Sequence, residues 1–90
     1  MRVILTRAAL ADLVSIRTYI GRRNPAAARR VAADLIAACD GLAFMPDRGR
    51  PGLEAGTREL TTVWPYIIVY TVGARTVQIV RIWHGAQSRT

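Results

Sequence analysis

The feature that most constrains the fold is a pair of strand-like runs near the C-terminus, joined by a short connection that contains glycine. The first run, Tyr66-Ile67-Ile68-Val69-Tyr70, is apolar at every position, and the second extends from Thr76 to Trp83. Because side chains alternate between the two faces of a strand, an uninterrupted apolar run indicates a strand buried on both faces. The connection Gly73-Ala74-Arg75 has the length of a hairpin loop. We therefore predict a central strand over 65–72, paired with a strand over 76–83.

The rest of the chain predicts two helices between short strands. Arg2 to Leu5 and Arg58 to Val63 have strand-like patterns, and 47–52 is rich in turn residues. Thr6 is a predicted N-cap for a helix to Arg22, and Asn24 with Pro25 begins a second helix to Phe44. The predicted class is α+β, in the order β-α-α-β-β-β.

Apolar spacing predicts which helical residues face the core. Their recurrence every three to four positions is typical of an amphipathic helix. In the first helix the predicted inward positions are Leu10, Leu13, Val14, Ile16 and Ile20, with Tyr19 alongside. In the second they are Ala28, Val31, Ala32, Leu35, Cys39 and Leu42.

Length and composition predict one domain over 1–90 and exclude several classes. The chain is 51% hydrophobic and 21% charged, a composition that folds. Its longest apolar runs are about five residues, against about 20 for a membrane span, so we expect a cytoplasmic protein with no membrane partner. One His and one Cys do not form a metal ligand set. The glycines lack the spacing of a phosphate loop, and we expect no cofactor.

The charge is +7, and all 13 basic residues are Arg. Arg matches carboxylate and phosphate with a planar fork but does not transfer protons near neutrality. The surplus is spread along the chain, with seven Arg in 1–45 and six in 46–90. Nucleic acid and an acidic protein segment both fit such a surface, and a genomic bias towards Arg would explain the missing Lys.

An electropositive set on the predicted sheet is the candidate for chemistry. It consists of Arg58, Arg81 and His84, with Arg48 and Arg50 from the loop. Such a set could stabilise charge during RNA cleavage, with His84 as the residue that titrates near neutrality. Structural alternatives remain open. Arg81 could pair with Glu59 or another acid, His84 could bond a backbone carbonyl, and the aromatic residues of this region could simply pack.

Several segments, taken in order, resemble one known family. They are Ala11-Asp12-Leu13 with Ile16 and Tyr19-Ile20, Asn24-Pro25-Ala26-Ala27-Ala28, Pro46 with Gly49-Arg50, Arg58-Glu59-Leu60, Tyr66-Ile67-Ile68-Val69-Tyr70, and 79–87 from Ile79 to Gln87. Together they are similar to the ParE/RelE superfamily, the toxins of bacterial type II toxin–antitoxin (plasmid stabilisation) modules. The resemblance covers nearly the whole chain.

This resemblance implies a helical hairpin packed on a curved, mainly antiparallel sheet, and growth arrest in the absence of a cognate ParD-like antitoxin. It also implies that the complex binds promoter DNA through the antitoxin. For contacts with the target or the antitoxin we expect Arg48, Arg50, Trp64, Tyr66, Trp83 and Gln87.

The two branches of the superfamily imply different targets. RelE-like members cleave mRNA on the ribosome, and Arg58, Arg81 and His84 fall where such members carry functional residues. ParE-like members inhibit DNA gyrase and need no nuclease site. This sequence has no Lys and no Tyr after the last strand, and its His84-Gly85-Ala86-Gln87 ending is more similar to ParE. We therefore expect gyrase inhibition, with RNA cleavage and a non-toxic corepressor role as alternatives.

Overall fold

The computed structural model describes residues 1–86 of the chain. The elements along the chain are β1 (Arg2–Leu5), α1 (Arg7–Gly21), α2 (Pro25–Gly41), β2 (Arg50–Pro51), β3 (Arg58–Leu60), β4 (Tyr66–Val72) and β5 (Thr76–His84). The predicted α+β class and element order are confirmed, with one addition. The predicted loop contains the two-residue strand β2, and β3 ends three residues before the predicted Val63.

Both helices begin where the capping residues predict. The Thr6 hydroxyl accepts a hydrogen bond from the Ala9 amide at 3.0 Å, and the Asn24 side chain accepts one from the Ala27 amide at 3.0 Å. These caps satisfy amides that have no partner within the helix. The predicted end of α2 near Phe44 is three residues too late, because from Leu42 to Phe44 each amide bonds the carbonyl three residues back and the last turn tightens.

The inward face of α1 is narrower than predicted. Ala9 is fully buried, and the stripe continues through Leu13, Ile16 and Ile20. Leu10 and Val14, predicted to face inward, are 53% and 57% exposed. The small Ala9 side chain lies at the centre of the packed face, which turns its large neighbours towards solvent. The size of an apolar side chain therefore did not predict its burial at these positions.

A mixed five-stranded sheet packs against the helical hairpin. Its strand order is β1-β5-β4-β3-β2, in which β1 pairs parallel to β5 and all other pairs are antiparallel. The predicted central position of β4 is confirmed. The core lies between the helices and one face of the sheet, and it includes Leu35, Ile68, Tyr70 and the predicted Cys39.

A β-bulge at Val80 sets which residues of β5 enter the core. Val69 pairs with Arg81 while the next residue, Tyr70, pairs with Ile79, so Val80 is the extra residue. Strict alternation from Ile79 would place Arg81 on the core face. The bulge instead turns Ile82 inward, where it is 3% exposed, and turns Arg81 to the other face.

The start of α1 holds this bulge in place. Beyond Ile79, β5 has no neighbouring strand on one side, because β1 ends at Leu5. The Thr6 hydroxyl donates a hydrogen bond of 2.8 Å to the Val80 carbonyl, and the Asp12 carboxylate accepts the Ile82 amide at 2.9 Å. Two side chains thus replace the missing strand. No helix within 1–86 is both long and apolar enough to cross a membrane.

Candidate functional site

A groove of about 440 Å³ lies between α1 and the uncovered end of β5. It exists because β1 stops at Leu5 and leaves the last residues of β5 facing the helix. The groove is lined by Asp12, Ser15, Ile16, Tyr19, Tyr66, Ile82 and His84. It therefore brings together two of the predicted site residues, Tyr66 and His84.

The two rings meet edge to face. Their centroids are 5.5 Å apart, and the ring planes are perpendicular. His84 Nδ1 accepts a hydrogen bond of 3.0 Å from the Ala86 amide, so one imidazole nitrogen faces the backbone. Burial, with a smaller contribution from Tyr19, raises the pKa of Tyr66. A raised phenol pKa favours the protonated form near neutrality, which makes Tyr66 a poor general base.

Arg81 forms a two-point ion pair with Asp12. Its Nε lies 2.7 Å from Asp12 Oδ2, and its Nη2 lies 2.9 Å from Oδ1. The hydrogen bond to Asp12 is the main reason that the pKa of Arg81 is raised. The sequence left open a pair with Glu59 or another acid, and the structure identifies that acid as Asp12, 69 positions away. The guanidinium carbon also lies 4.1 Å from the centre of the Trp83 ring, a cation–π distance.

Glu59 is instead the partner of Arg50. Arg50 Nε and Nη2 lie 3.2 Å and 3.1 Å from Glu59 Oε1, and the Glu59 side chain is only 6% exposed. This pair lies on the face of the sheet away from the helices, here called the outer face and formed by Glu59, Ile67, Val69, Arg81 and Trp83. A hollow of about 120 Å³ on this face is bordered by Leu53, Arg81 and Trp83.

Arg58 stabilises the loop that precedes β2. Its Nη1 donates a hydrogen bond of 2.8 Å to the Gly49 carbonyl, and its Nη2 lies 3.6 Å from Asp47 Oδ1. Arg58 pairs in register with Tyr70, so it shares the helix-facing side of the sheet. These contacts give the side chain a structural role at the loop.

The three residues predicted for RNA cleavage do not come together. Arg58 is opposite Tyr70 and His84 is opposite Tyr66, so four positions of β4 separate them along the strand. At about 3.3 Å per residue this is roughly 13 Å. Arg81 projects from the outer face, whereas Arg58 and His84 project from the helix-facing side. The register of β4 and the bulge at Val80 together cause this separation.

The remaining predicted contact residues belong to different elements. Arg48 is exposed in the loop before β2. Trp64 is 70% exposed in the turn before β4, where a Cβ on Gly85 would lie 3.3 Å from its ring. Trp83 is half-buried on the outer face, and the prediction for Gln87 lies outside the described residues. Among residues 1–86, no three His, Cys, Asp or Glu side chains lie close enough together to hold a metal ion.

Sequence reasoning gave no role to Asp12, which organises the end of β5. Its carboxylate accepts from Arg81 and from the Ile82 amide, and its side chain is 16% exposed. A signal was present in the sequence, because Asp12 lies on the same helical face as Ala9, Leu13 and Ile16. An acidic residue on a buried face needs a partner, since burying an unpaired charge is costly.

Solved structures with this architecture place the chain in a functional class. A chain from the structure titled "Chromosomal ParDE TA system from P. aeruginosa" superposes with a TM-score of 0.83. It is 30% identical in sequence, and the match covers 93% of this chain and 95% of that one. The two-helix hairpin on a mixed sheet is therefore shared with a protein of a ParDE toxin–antitoxin system.

Sequence comparison identifies the family within that class. The profile described as "ParE toxin of type II toxin-antitoxin system, parDE" matches residues 3–89, and the chain belongs to this family. Toxin RelE2 of Caulobacter vibrioides is 50% identical over 86 residues, covering 96% of this chain and 97% of that protein. Toxin RelE1 of the same organism is 33% identical, covering 97% and 96%. The resemblance to the ParE/RelE superfamily is thus confirmed: the matching profile is described as ParE, and the two relatives carry RelE names.

Proposed function

We propose that this ParE-family toxin arrests growth by inhibiting DNA gyrase. The observation that carries the proposal is the separation of Arg58, Arg81 and His84, since Arg81 is on the other face of the sheet and Arg58 and His84 are four positions of β4 apart. A gyrase inhibitor acts through a binding surface and has no need for these residues to converge. An RNA-cleaving enzyme does need convergence, because base, acid and charge stabilisation act on one phosphate.

The local chemistry of each residue favours the same proposal. Arg81 is engaged by Asp12 and Arg58 by the Gly49 carbonyl, so both have structural partners. The raised pKa of Tyr66 weakens it as a base beside His84. Arg50, a further candidate for phosphate contact, is paired with a buried carboxylate.

RNA cleavage on the ribosome remains the second candidate because of the Tyr66–His84 contact. This pair lines the groove of about 440 Å³ between α1 and β5, where the centres of an imidazole and a phenol ring are 5.5 Å apart. A nuclease would use these two rings and would lose activity when His84 is replaced by Ala. The non-toxic corepressor alternative requires no chemistry at all, and it differs from the other two in producing no growth arrest.

The cognate partner in this proposal is a ParD-like antitoxin that blocks the target-binding surface. The net charge of +7 favours an acidic segment, and large apolar side chains such as Leu10, Val14 and Tyr19 are exposed on α1. An amphipathic acidic segment would satisfy both features. Promoter DNA would then be bound through the antitoxin in the complex.

Controlled expression in cells separates the three candidates. Gyrase inhibition predicts growth arrest with induction of a DNA-damage reporter while amino-acid incorporation continues at first. An immediate loss of incorporation without the reporter would instead identify the translation-blocking alternative. Co-expression of the antitoxin is the control and should restore growth. Growth without arrest, at a verified level of folded protein, would leave the corepressor role.

A further inference from the structure

Arginine is concentrated without acidic partners at the connected ends of the two helices. Residues 13–33 contain five Arg and no Asp or Glu. These five, here called the arginine tip, are Arg17, Arg22, Arg23, Arg29 and Arg30. All five are exposed, as is every residue from 22 to 26.

Arginines of the tip border two adjoining hollows beside the connection of the helices. Arg17 of α1 and Arg29 of α2 line one shallow groove of about 280 Å³, with Gly21 and Ala28 in its floor. A Cβ on Gly21 would lie 3.6 Å from the Ala28 Cβ, so the helices approach closely there. Arg22 lines the adjoining hollow on the other side of α1, and Arg23 lies in the connection. Four of the five charges therefore lie around the connected ends of the helices, and Arg30 is the neighbour of Arg29 in α2.

The arginine tip is uncompensated within residues 1–86, unlike Arg50, Arg58 and Arg81 of the sheet. The ion pairs of the described chain involve Arg50, Arg58 and Arg81. Within residues 1–86 no member of the arginine tip makes one, although Asp34 is one helical turn beyond Arg30. Five like charges held together without acids destabilise the folded protein slightly, and a bound polyanion would remove that repulsion.

The chemistry of the arginine tip fits phosphate better than an acidic protein segment. Protein interfaces depend on large side chains that anchor in pockets. The connection at residues 22–26 exposes only the small apolar groups of Pro25 and Ala26, whereas the large exposed side chains of Val14 and Tyr19 belong to α1 at the side of the two hollows. Phosphate binding needs no such anchor, because it is driven by charge neutralisation and counterion release. The guanidinium fork also matches phosphate oxygens in a two-point contact.

We propose that the arginine tip binds the phosphodiester backbone of duplex DNA while the toxin acts on gyrase. This proposal depends on the proposed function, because gyrase is the protein that would hold duplex DNA beside the toxin. The position of the tip is favourable, because Tyr19, three residues before Arg22, lines the groove with Tyr66 and His84. A protein contact at that groove and a DNA contact at the tip could then form on the same end of the toxin.

The test compares two variants of equal charge. Arg22→Gln/Arg23→Gln/Arg30→Gln removes three charges from the tip, and Arg2→Gln/Arg7→Gln/Arg75→Gln removes three exposed charges elsewhere. All six side chains are exposed, and Gln keeps a good helix propensity at the helical positions Arg7 and Arg30, so both variants should fold. Binding of a fluorescent 20-base-pair DNA duplex would be measured by anisotropy across a salt series. For the tip variant we expect the slope of log K against log salt to fall by about three, and affinity at 0.1 M salt to fall on the order of 100-fold. The control variant should keep the wild-type slope.

Other results would overturn the proposal. Equal losses in both variants would mean that only net charge matters, and no binding by the wild type at low salt would exclude a DNA surface. Stronger tip-dependent binding of poly-glutamate than of DNA would assign the arginine tip to an acidic protein, and stronger binding of duplex RNA would exclude the DNA assignment. The outcome is separate from that of the gyrase proposal. A protein that binds DNA through the tip but leaves gyrase unaffected would contradict the proposed function alone.

Discussion

Replacing Asp12 with Ala should destabilise the protein more than any other single change to an acidic residue of α1 or α2. Asp12 accepts three hydrogen bonds, two from Arg81 at 2.7 Å and 2.9 Å and one from the Ile82 amide at 2.9 Å. Without the carboxylate, the Arg81 charge and the Ile82 amide both lose their partners at the β-bulge. Breaking a buried ion pair from one side costs about 3–5 kcal/mol, and because the Arg81 side chain is 37% exposed and that of Asp12 16%, we expect a loss at the lower end of that range.

The expected loss is large compared with the stability of a small domain. At roughly 0.05–0.15 kcal/mol per residue, a chain of this length has a free energy of unfolding of about 5–13 kcal/mol. A loss of about 3 kcal/mol therefore corresponds to a fall in Tm of roughly 12–24 °C. Urea unfolding followed by tryptophan fluorescence measures it, since Trp83 lies directly under Arg81.

A matched control and a double variant isolate the pair. Asp34 is an exposed acid of α2 without an ion pair in the described chain, so Asp34→Ala should change stability by less than about 0.5 kcal/mol. Arg81→Met keeps the side-chain stem, and the double variant Asp12→Ala/Arg81→Met should be less destabilised than the sum of the two single variants. A loss below about 1 kcal/mol for Asp12→Ala would refute the assignment of Asp12 as the residue that holds the bulge.

Three further changes test other contacts. Gly49→Ala should lower the free energy of unfolding in urea by about 1–3 kcal/mol, because the added Cβ would lie 2.7 Å from the Tyr70 hydroxyl. Gly41→Ala is the control and should not destabilise the protein, because its added Cβ would meet nothing within 4 Å. Tyr70→Phe should cost about 1–3 kcal/mol, since the hydroxyl donates to the Pro46 carbonyl at 2.7 Å and accepts the Gly49 amide at 2.8 Å; unchanged stability would contradict this role. Burial raises the pKa of Cys39 from its ordinary value of 9.0 to about 12. Between pH 9 and 12 the folded state therefore keeps the thiol proton that the unfolded state loses. The free energy of unfolding should be unaffected by this thiol below pH 9 and should fall as the pH rises from 9 towards 12. Cys39→Ala should show a shallower fall by the same unfolding assay, and an identical pH profile would contradict this account.

Local rules were sufficient to predict the element order, the caps and the central strand. Thr6 and Asn24 act on amides three residues away, and the apolar pattern of β4 is fixed by its burial on both faces. The resemblance to a known family was also carried by short segments in order. Each of these features depends on residues close together in the chain.

The site was less predictable because its geometry depends on long-range contacts. The bulge at Val80 changes the face that Arg81 occupies, and it is held by Thr6 and Asp12 from the other end of the chain. Without that register, Arg58, Arg81 and His84 could be grouped on one surface from sequence position alone. The inward assignment of Leu10 failed for a similar reason, since the packing of Ala9 against the sheet decides the orientation of α1.

Purified gyrase acting on relaxed plasmid with ATP tests the central proposal most directly. Added toxin, shown to be folded, should reduce supercoiling or trap double-strand cleavage, and prior addition of the cognate antitoxin should prevent the effect. The variant His84→Ala should inhibit gyrase through the remaining surface, because no step of the proposal uses the imidazole in catalysis. Supercoiling that proceeds at the uninhibited rate, with no trapped cleavage at excess folded toxin, would contradict gyrase inhibition.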